Sequence, residues 1–181
     1  YAGEEAWVGI DQEYTFFDLV SGKPLAWARL GKTPGPQGPY YCGVGAGRIF
    51  GRSLIEAHTA ACTKAGLSVT GTNPEVMPGQ WEFQVGGPEI GPLEASDQLW
   101  VVRWLLHRLG EDYDIIVSLS PKPMKDGDWN GAGAHTNFST KRMREAGGLA
   151  VVRAACEKLS RVHQEHIQVY GHGNEDRLTG K

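Results

Sequence analysis

The sequence is poor in cysteine, has no long apolar run and carries no basic tract. Its three cysteines, Cys42, Cys62 and Cys156, are odd in number, far apart and in no CxxC pair. That argues against a disulfide framework and fits reduced thiols in an intracellular protein. No apolar run approaches the ~20 residues of a membrane span, so a membrane partner is not expected. A formal net charge of -3 without a sustained basic run argues against nucleic acid as the main partner. The first five residues carry two acids and no basic start before an apolar core, so they do not read as a signal peptide. There is no internal repeat. Hydrophobic residues at 40% and charged residues at 22% exclude a disordered chain. The 181 residues suffice for one domain or a large piece of one. A strand begins almost at once and the end, Gly180-Lys181, closes no element, so a fragment cut at both ends is expected.

Residues 7–17 read as a strand. The stretch 21–47 is rich in glycine and proline, including Pro34-Gly-Pro-Gln-Gly-Pro39, and reads as a long loop ordered by Tyr40-Tyr41. Residues 48–65 read as a helix with Ile49, Leu54, Ala57, Ala61 and Ala65 on one stripe and Gly66 as its stop. Residues 67–72 and 80–86 read as strands. Ser96 or Asp97 is the expected cap of a helix to Leu109, followed by Gly110. Its Leu99, Trp100, Val101, Val102, Trp104, Leu105 and Leu106 predict burial over much of its circumference. Residues 115–119 read as a strand and 121–131 as a loop. A last helix is expected from Leu149 to Tyr170, with Leu149, Val152, Cys156, Leu159 and Val162 on one side. Without a strict βαβ rhythm, the fold class is α+β, an antiparallel or mixed sheet backed by helices.

Two glycine-rich phosphate motifs fail. Leu30-Gly31-Lys32-Thr33 lacks the upstream glycine of a P-loop, which falls at Ala26, and Pro34 blocks the following helix. In Gly43-Val-Gly45-Ala-Gly47 the third glycine of a dinucleotide fingerprint falls at Arg48. Asn137-Phe-Ser139 is a formal glycosylation sequon, but it lies in a predicted strand. His163 and His166, three apart on a helix, read as a solvated face rather than a zinc site.

Alternation carries more. Residues i and i+2 of a strand share a face. Asp11 and Glu13 therefore point one way. Glu82 lies between apolar Trp81 and Phe83 with Gln80 and Gln84 on its own side. His135, Asn137 and Ser139 oppose Ala134, Thr136 and Phe138. With Glu75, this gives four carboxylates and one imidazole, a set suited to Mg²⁺ or Mn²⁺ rather than zinc. Singly, each has a plainer reading: a solvated edge for Asp11 and Glu13, a turn acid for Glu75, a satisfied buried ring for His135. Pattern alone leaves both a solvated sheet face and a cation site open.

Longer strings are more specific. Asp11-Gln-Glu-Tyr14, Pro34 to Gly45, Glu75-Val-Met-Pro-Gly-Gln-Trp-Glu-Phe-Gln84, Gly127 to Thr140 and Arg177-Leu-Thr-Gly180 closely resemble glutamine synthetase of the eukaryotic (type II) class, in the family's own order from about Trp7 to the end. The resemblance implies a partial catalytic domain over 1–181, with the curved, guanido-kinase-like sheet of that family. It implies ligation of ammonia to L-glutamate with ATP through γ-glutamyl phosphate, at a site with two or more Mg²⁺ or Mn²⁺ ions. On that resemblance Glu13, Glu75 and Glu82 hold the first metal, and Asp11 and His135 the second. The family usually has Glu where Asp11 stands, one methylene longer. Glu13, Glu82 and Tyr41 are the implied catalytic residues, Tyr41 at the ammonium pocket. Trp7, Glu82, Asn137, Ser139 and Arg144 match nucleotide contacts. Asn130, Gly131 and Arg177 match glutamate contacts.

The resemblance also implies a ring-stacked homo-oligomer, a decamer, in the cytoplasm or alternatively a plastid. The family's N-terminal β-grasp domain and C-terminal portion lie outside this sequence, so the fragment alone is expected to be inactive. Two further readings stand beside the ligase: a non-catalytic relative that keeps the fold, and a ligase for another amine. A plausible ligand at every metal position disfavours the first. Asn130-Gly131 and Tyr41 favour glutamate and ammonium over the second.

Overall fold

The computed structural model describes residues 2–177 apart from 26, 28, 29, 32, 33, 36 and 37. Its centre is β1 (Trp7–Asp18), a strand of 12 residues. Val8, Ile10, Tyr14 and Phe16, with Gln12 among them, bury one side of it at every second position, and Tyr14 and Phe16 are fully enclosed. β2 (Val69–Pro74) and β3 (Gln80–Gly87) extend the sheet on one edge of β1. β4 (Ile115–Ser118) and β5 (Ala134–Ser139) share the other edge. β5 pairs with Trp7–Gln12 and β4 with Thr15–Asp18. Every pairing among these strands is antiparallel, which decides between the antiparallel and mixed alternatives.

Two helices cover the apolar side. α1 (Arg52–Lys64) starts four residues later than its apolar stripe suggests, because Gly51 takes a left-handed conformation (φ 86°) that ends the preceding turn. The expected stop at Gly66 is present. Gly66 is left-handed at φ 75°, and the Gly66 and Leu67 N–H groups donate to the Thr63 and Cys62 carbonyls, the paired bonds of a Schellman ending. α2 (Pro92–Glu111) starts before the expected Ser96/Asp97 cap: Pro92 opens it, and the Ser96 hydroxyl donates to the Pro92 carbonyl instead. Inside the packed layer the His58 Nε2–H donates to the Val102 carbonyl at 3.0 Å and ties α1 to α2. Burial raises the neighbouring Cys62 thiol to about 11.

α2 corrects a second expectation. Only Ala95, Leu99, Val102, Leu106 and Gly110 are buried, a single stripe at helical spacing. Trp100 and Trp104 are exposed. The apolar run predicted more burial than one sheet face provides. The final helix is also divided, into α4 (Gly148–Ser160) and α5 (His163–Ile167), after a short α3 (Lys141–Arg144). Arg161 and Val162 turn between α4 and α5, and Leu149, Val152 and Leu159 stay exposed. Phe138, on the apolar side of β5, is likewise exposed.

Candidate active site

The polar side of the sheet gathers the acidic residues by register. Glu13 stands opposite Glu82 across β1 and β3, and Asn73 stands opposite Glu82 across β2 and β3. Cross-strand partners on one face lie ~5 Å apart at Cβ. Glu75 follows the last residue of β2, and its N–H donates to the Gln80 carbonyl at 2.9 Å. That bond turns its carboxylate into the same space. One oxygen from each of Glu13, Glu75 and Glu82 lies within 4.8 Å of the other two.

Each carboxylate is held. Gly133 N–H donates to Glu13 Oε2 at 2.7 Å, and Gln80 Nε2 approaches Oε1 at 3.5 Å. Asn73 Nδ2 and the Val76 N–H donate to the two oxygens of Glu75, each at 3.1 Å. Gln84 Nε2 donates to Glu82 Oε1 at 2.5 Å. Even so, burial and mutual repulsion outweigh what holds them. Burial first, then Glu75 and Glu82, raise the Glu13 carboxyl to about 7 against the Gly133 N–H and Arg177. Burial also raises Glu75, and burial followed by Glu75 raises Glu82. Three like charges at this spacing repel by on the order of 3 kcal/mol per pair at an effective dielectric near 20. Shared protons or a bound cation would relieve that.

Beside the triad, Asp11 stands opposite His135 across β1 and β5. Asn137 links them: its Nδ2 donates to Asp11 Oδ2 at 3.0 Å, and its Oδ1 lies 3.1 Å from His135 Nε2. Asp11 raises and His135 lowers the Glu82 carboxyl, so the pair adjoins the triad electrostatically. This oxygen-rich set with one imidazole fits a hard divalent cation.

At the far end of β1, Trp7 stands opposite Ser139. The Arg144 guanidinium lies 3.6 Å from the centre of the Trp7 ring. It donates to the Ser139 carbonyl at 2.9 Å and hydroxyl at 3.0 Å, and to the Glu5 carbonyl at 2.7 Å. Trp7, Ser139 and Arg144 therefore form one cluster. Asn137 faces back to the carboxylates.

Asn130, Gly131 and Arg177 line a cavity of about 950 Å³ together with Lys122 and Asp176. Arg177 lies across the glycine loop: a Cβ at Gly131 would stand 2.8 Å from its Nε, and one at Gly133 3.0 Å from its Nη1. Only glycine permits that approach. Tyr41 is exposed, and the neighbouring Cys42 N–H donates to the Pro74 carbonyl at 3.0 Å, anchoring this loop beside Glu75. Cys42, and more weakly Glu75, raise the Tyr41 hydroxyl above its usual range.

Sequence reasoning placed Gln80 and Gln84 on the Glu82 side without assigning them work. Gln80 is buried, and its Nε2 also donates to the Gly131 carbonyl at 2.9 Å, joining the acidic cluster to the glycine loop. Gln12 and Arg103 were missed altogether. Nothing in local pattern marks a helical arginine as a neighbour of a strand glutamine 91 residues away.

The chain is similar to known proteins over almost its full length. The sequence model of a family described as "Glutamine synthetase, catalytic domain" matches residues 2–167. A chloroplastic glutamine synthetase of Chlamydomonas reinhardtii is 58% identical over 178 residues, 98% of this chain and 46% of the relative. Glutamine synthetase root isozyme 5 of Zea mays is 57% identical, over 99% of this chain and 49% of the relative. Glutamine synthetase cytosolic isozyme 1-4 of Arabidopsis thaliana is 58% identical, over 98% and 49%. The chain thus spans about half the length of the curated relatives it matches.

Proposed function

The chain belongs to the glutamine synthetase catalytic-domain family, and from that premise we propose that its full-length protein joins ammonia to the side-chain carboxylate of L-glutamate using ATP. The γ-phosphoryl group of ATP passes to a glutamate γ-carboxylate oxygen, giving γ-glutamyl phosphate and ADP. Ammonia then attacks the acyl carbon, phosphate leaves and the ammonium proton is lost. The observation that carries this reading is the Glu13–Glu75–Glu82 triad, three carboxylate oxygens within 4.8 Å beside the Asp11–His135 pair.

In this proposal Glu13, Glu75 and Glu82 hold one Mg²⁺ or Mn²⁺ ion, and Asp11 and His135 hold a second. The ions would supply the positive charge that lets one anion approach another. Trp7 offers a ring face to adenine, and Arg144, Ser139 and Asn137 offer polar groups to the nucleotide. Asn130, Gly131 and Arg177 hold glutamate, with the arginine on its carboxylate. Tyr41, on the loop beside Glu75, borders the ammonium pocket. Gly131 and Gly133 carry no side chain, which lets the substrate approach the loop backbone closely. Relatives named as cytosolic and chloroplastic both exist, and we assign this protein to the cytoplasm with a plastid as the alternative. Self-association into a ring-stacked oligomer belongs to the same proposal.

The test is phosphate release by the full-length protein in the presence of Mg²⁺. Release should require both glutamate and ammonium, and Glu82→Ala should lower it by at least ~100-fold. An unchanged rate in that variant defeats the metal assignment. No release from the unsubstituted protein defeats the ligase reading and favours a non-catalytic relative.

A further inference from the structure

β1 has a gap on one edge. β5 pairs with it as far as Gln12 and β4 resumes at Thr15, so Glu13 and Tyr14 have no strand beside them there. A side chain fills this gap. Gln12 is buried, and its Nε2 donates to the Glu13 carbonyl at 2.7 Å and the Gly133 carbonyl at 3.2 Å. The Gly133 carbonyl also accepts the Glu13 N–H at 2.9 Å, and the Gly133 N–H returns to Glu13 Oε2 at 2.7 Å. The Gln12 amide therefore ties the Gly133 peptide to the β1 backbone, and the Gly133 N–H in turn holds the Glu13 carboxylate.

That amide works only one way round. Its oxygen must face away from the two carbonyls, or lone pairs would oppose lone pairs. Arg103, from α2, enforces this. Its Nε donates to Gln12 Oε1 at 2.9 Å and its Nη2 donates to the same oxygen. The guanidinium itself lies 5.3 Å from the centre of the Trp100 ring, which steadies its plane. Gln12 and Arg103 border a second cavity that also reaches Glu13, Gly133 and His135.

We propose that Arg103 is a positioning residue for the acidic site, acting through Gln12 to orient Glu13 and the Gly133 loop. The proposal rests on the metal-site reading above. Arg103 reaches the acidic site through the Gln12 amide. It fixes the amide, the amide fixes the Gly133 peptide, and the peptide fixes the carboxylate.

The test is Mn²⁺ titration of the full-length protein followed by electron paramagnetic resonance, with Arg103→Met, Gln12→Leu and the double variant. Groups that orient metal ligands from behind typically govern about 10- to 100-fold in affinity. Each single variant should weaken Mn²⁺ by about that factor, and the double variant no more than the worse single, because both break one chain of bonds. Arg103→Lys, which keeps the charge but loses the fork, should fall with Arg103→Met and gives a milder test of folding. Unchanged Mn²⁺ affinity in Arg103→Met and Arg103→Lys, with binding lost in Glu82→Ala, overturns the positioning role alone. Effects that add in the double variant overturn it too. Unchanged binding in Glu82→Ala instead overturns the metal reading beneath it.

Discussion

Glu13→Gln separates the two ways in which the acidic triad can relieve its charge. The carboxyl rises from an ordinary 4.5 to about 7. At about 1.4 kcal/mol for each tenfold change in proton affinity, that is about 3.4 kcal/mol. Because part of the group faces solvent, screening reduces the figure to about 1–2 kcal/mol. The sign follows from proton counting. Between pH 4.5 and about 7 the folded chain holds a proton that the unfolded chain has lost, so stability without divalent cations falls as pH rises through that window and is level above it. Glutamine keeps an acceptor for the Gly133 N–H but carries no charge against Glu75 and Glu82. In EDTA at pH 8 the full-length Glu13→Gln protein should therefore be more stable by about 1–2 kcal/mol, a melting point higher by a few degrees. At pH 4 the difference should vanish. Added Mn²⁺ should reverse the order, raising the melting point of the unsubstituted protein well above that of the variant. A pH series of thermal melts in EDTA and in Mn²⁺ reads all three. If Glu13→Gln is the less stable protein in EDTA at pH 8, or if its advantage is the same at pH 4, the repulsion argument is wrong.

Two further outcomes follow from contacts beside the first residues of β1. Arg144→Lys removes a planar guanidinium that lies on Trp7 and donates to Ser139 and Glu5. It should raise KM for ATP by about tenfold in steady-state assays while KM for glutamate stays put, and equal changes in both would contradict the placement of the nucleotide there. Gly86, opposite Gly9 in the β1–β3 register, has φ 89°, and a Cβ on it would lie 2.4 Å from the Val8 carbonyl oxygen. Gly86→Ala should lower stability by at least about 2 kcal/mol in urea titration, and an unchanged midpoint would show that the two strands separate there at little cost.

The sequence by itself determined which residues share a face. Strand periodicity placed Asp11 with Glu13, and Glu82 with Gln80 and Gln84, and the resemblance of the longer strings named the family before any fold was in view. Helix ends were less legible. Gly51 and Pro92 moved two starts because a left-handed glycine and a proline at the first turn act on backbone geometry that apolar stripes do not encode. The burial of α2 was overestimated for a related reason: apolar content says what can be buried, and the single sheet face against α2 accommodates only one stripe. Tertiary structure alone decided the register that sets Glu13 opposite Glu82 and Asp11 opposite His135. It alone brought Arg103 across 91 residues to Gln12. Local pattern is fixed by neighbours along the chain, whereas register and long-range hydrogen bonds are fixed by which segments meet once the chain has collapsed.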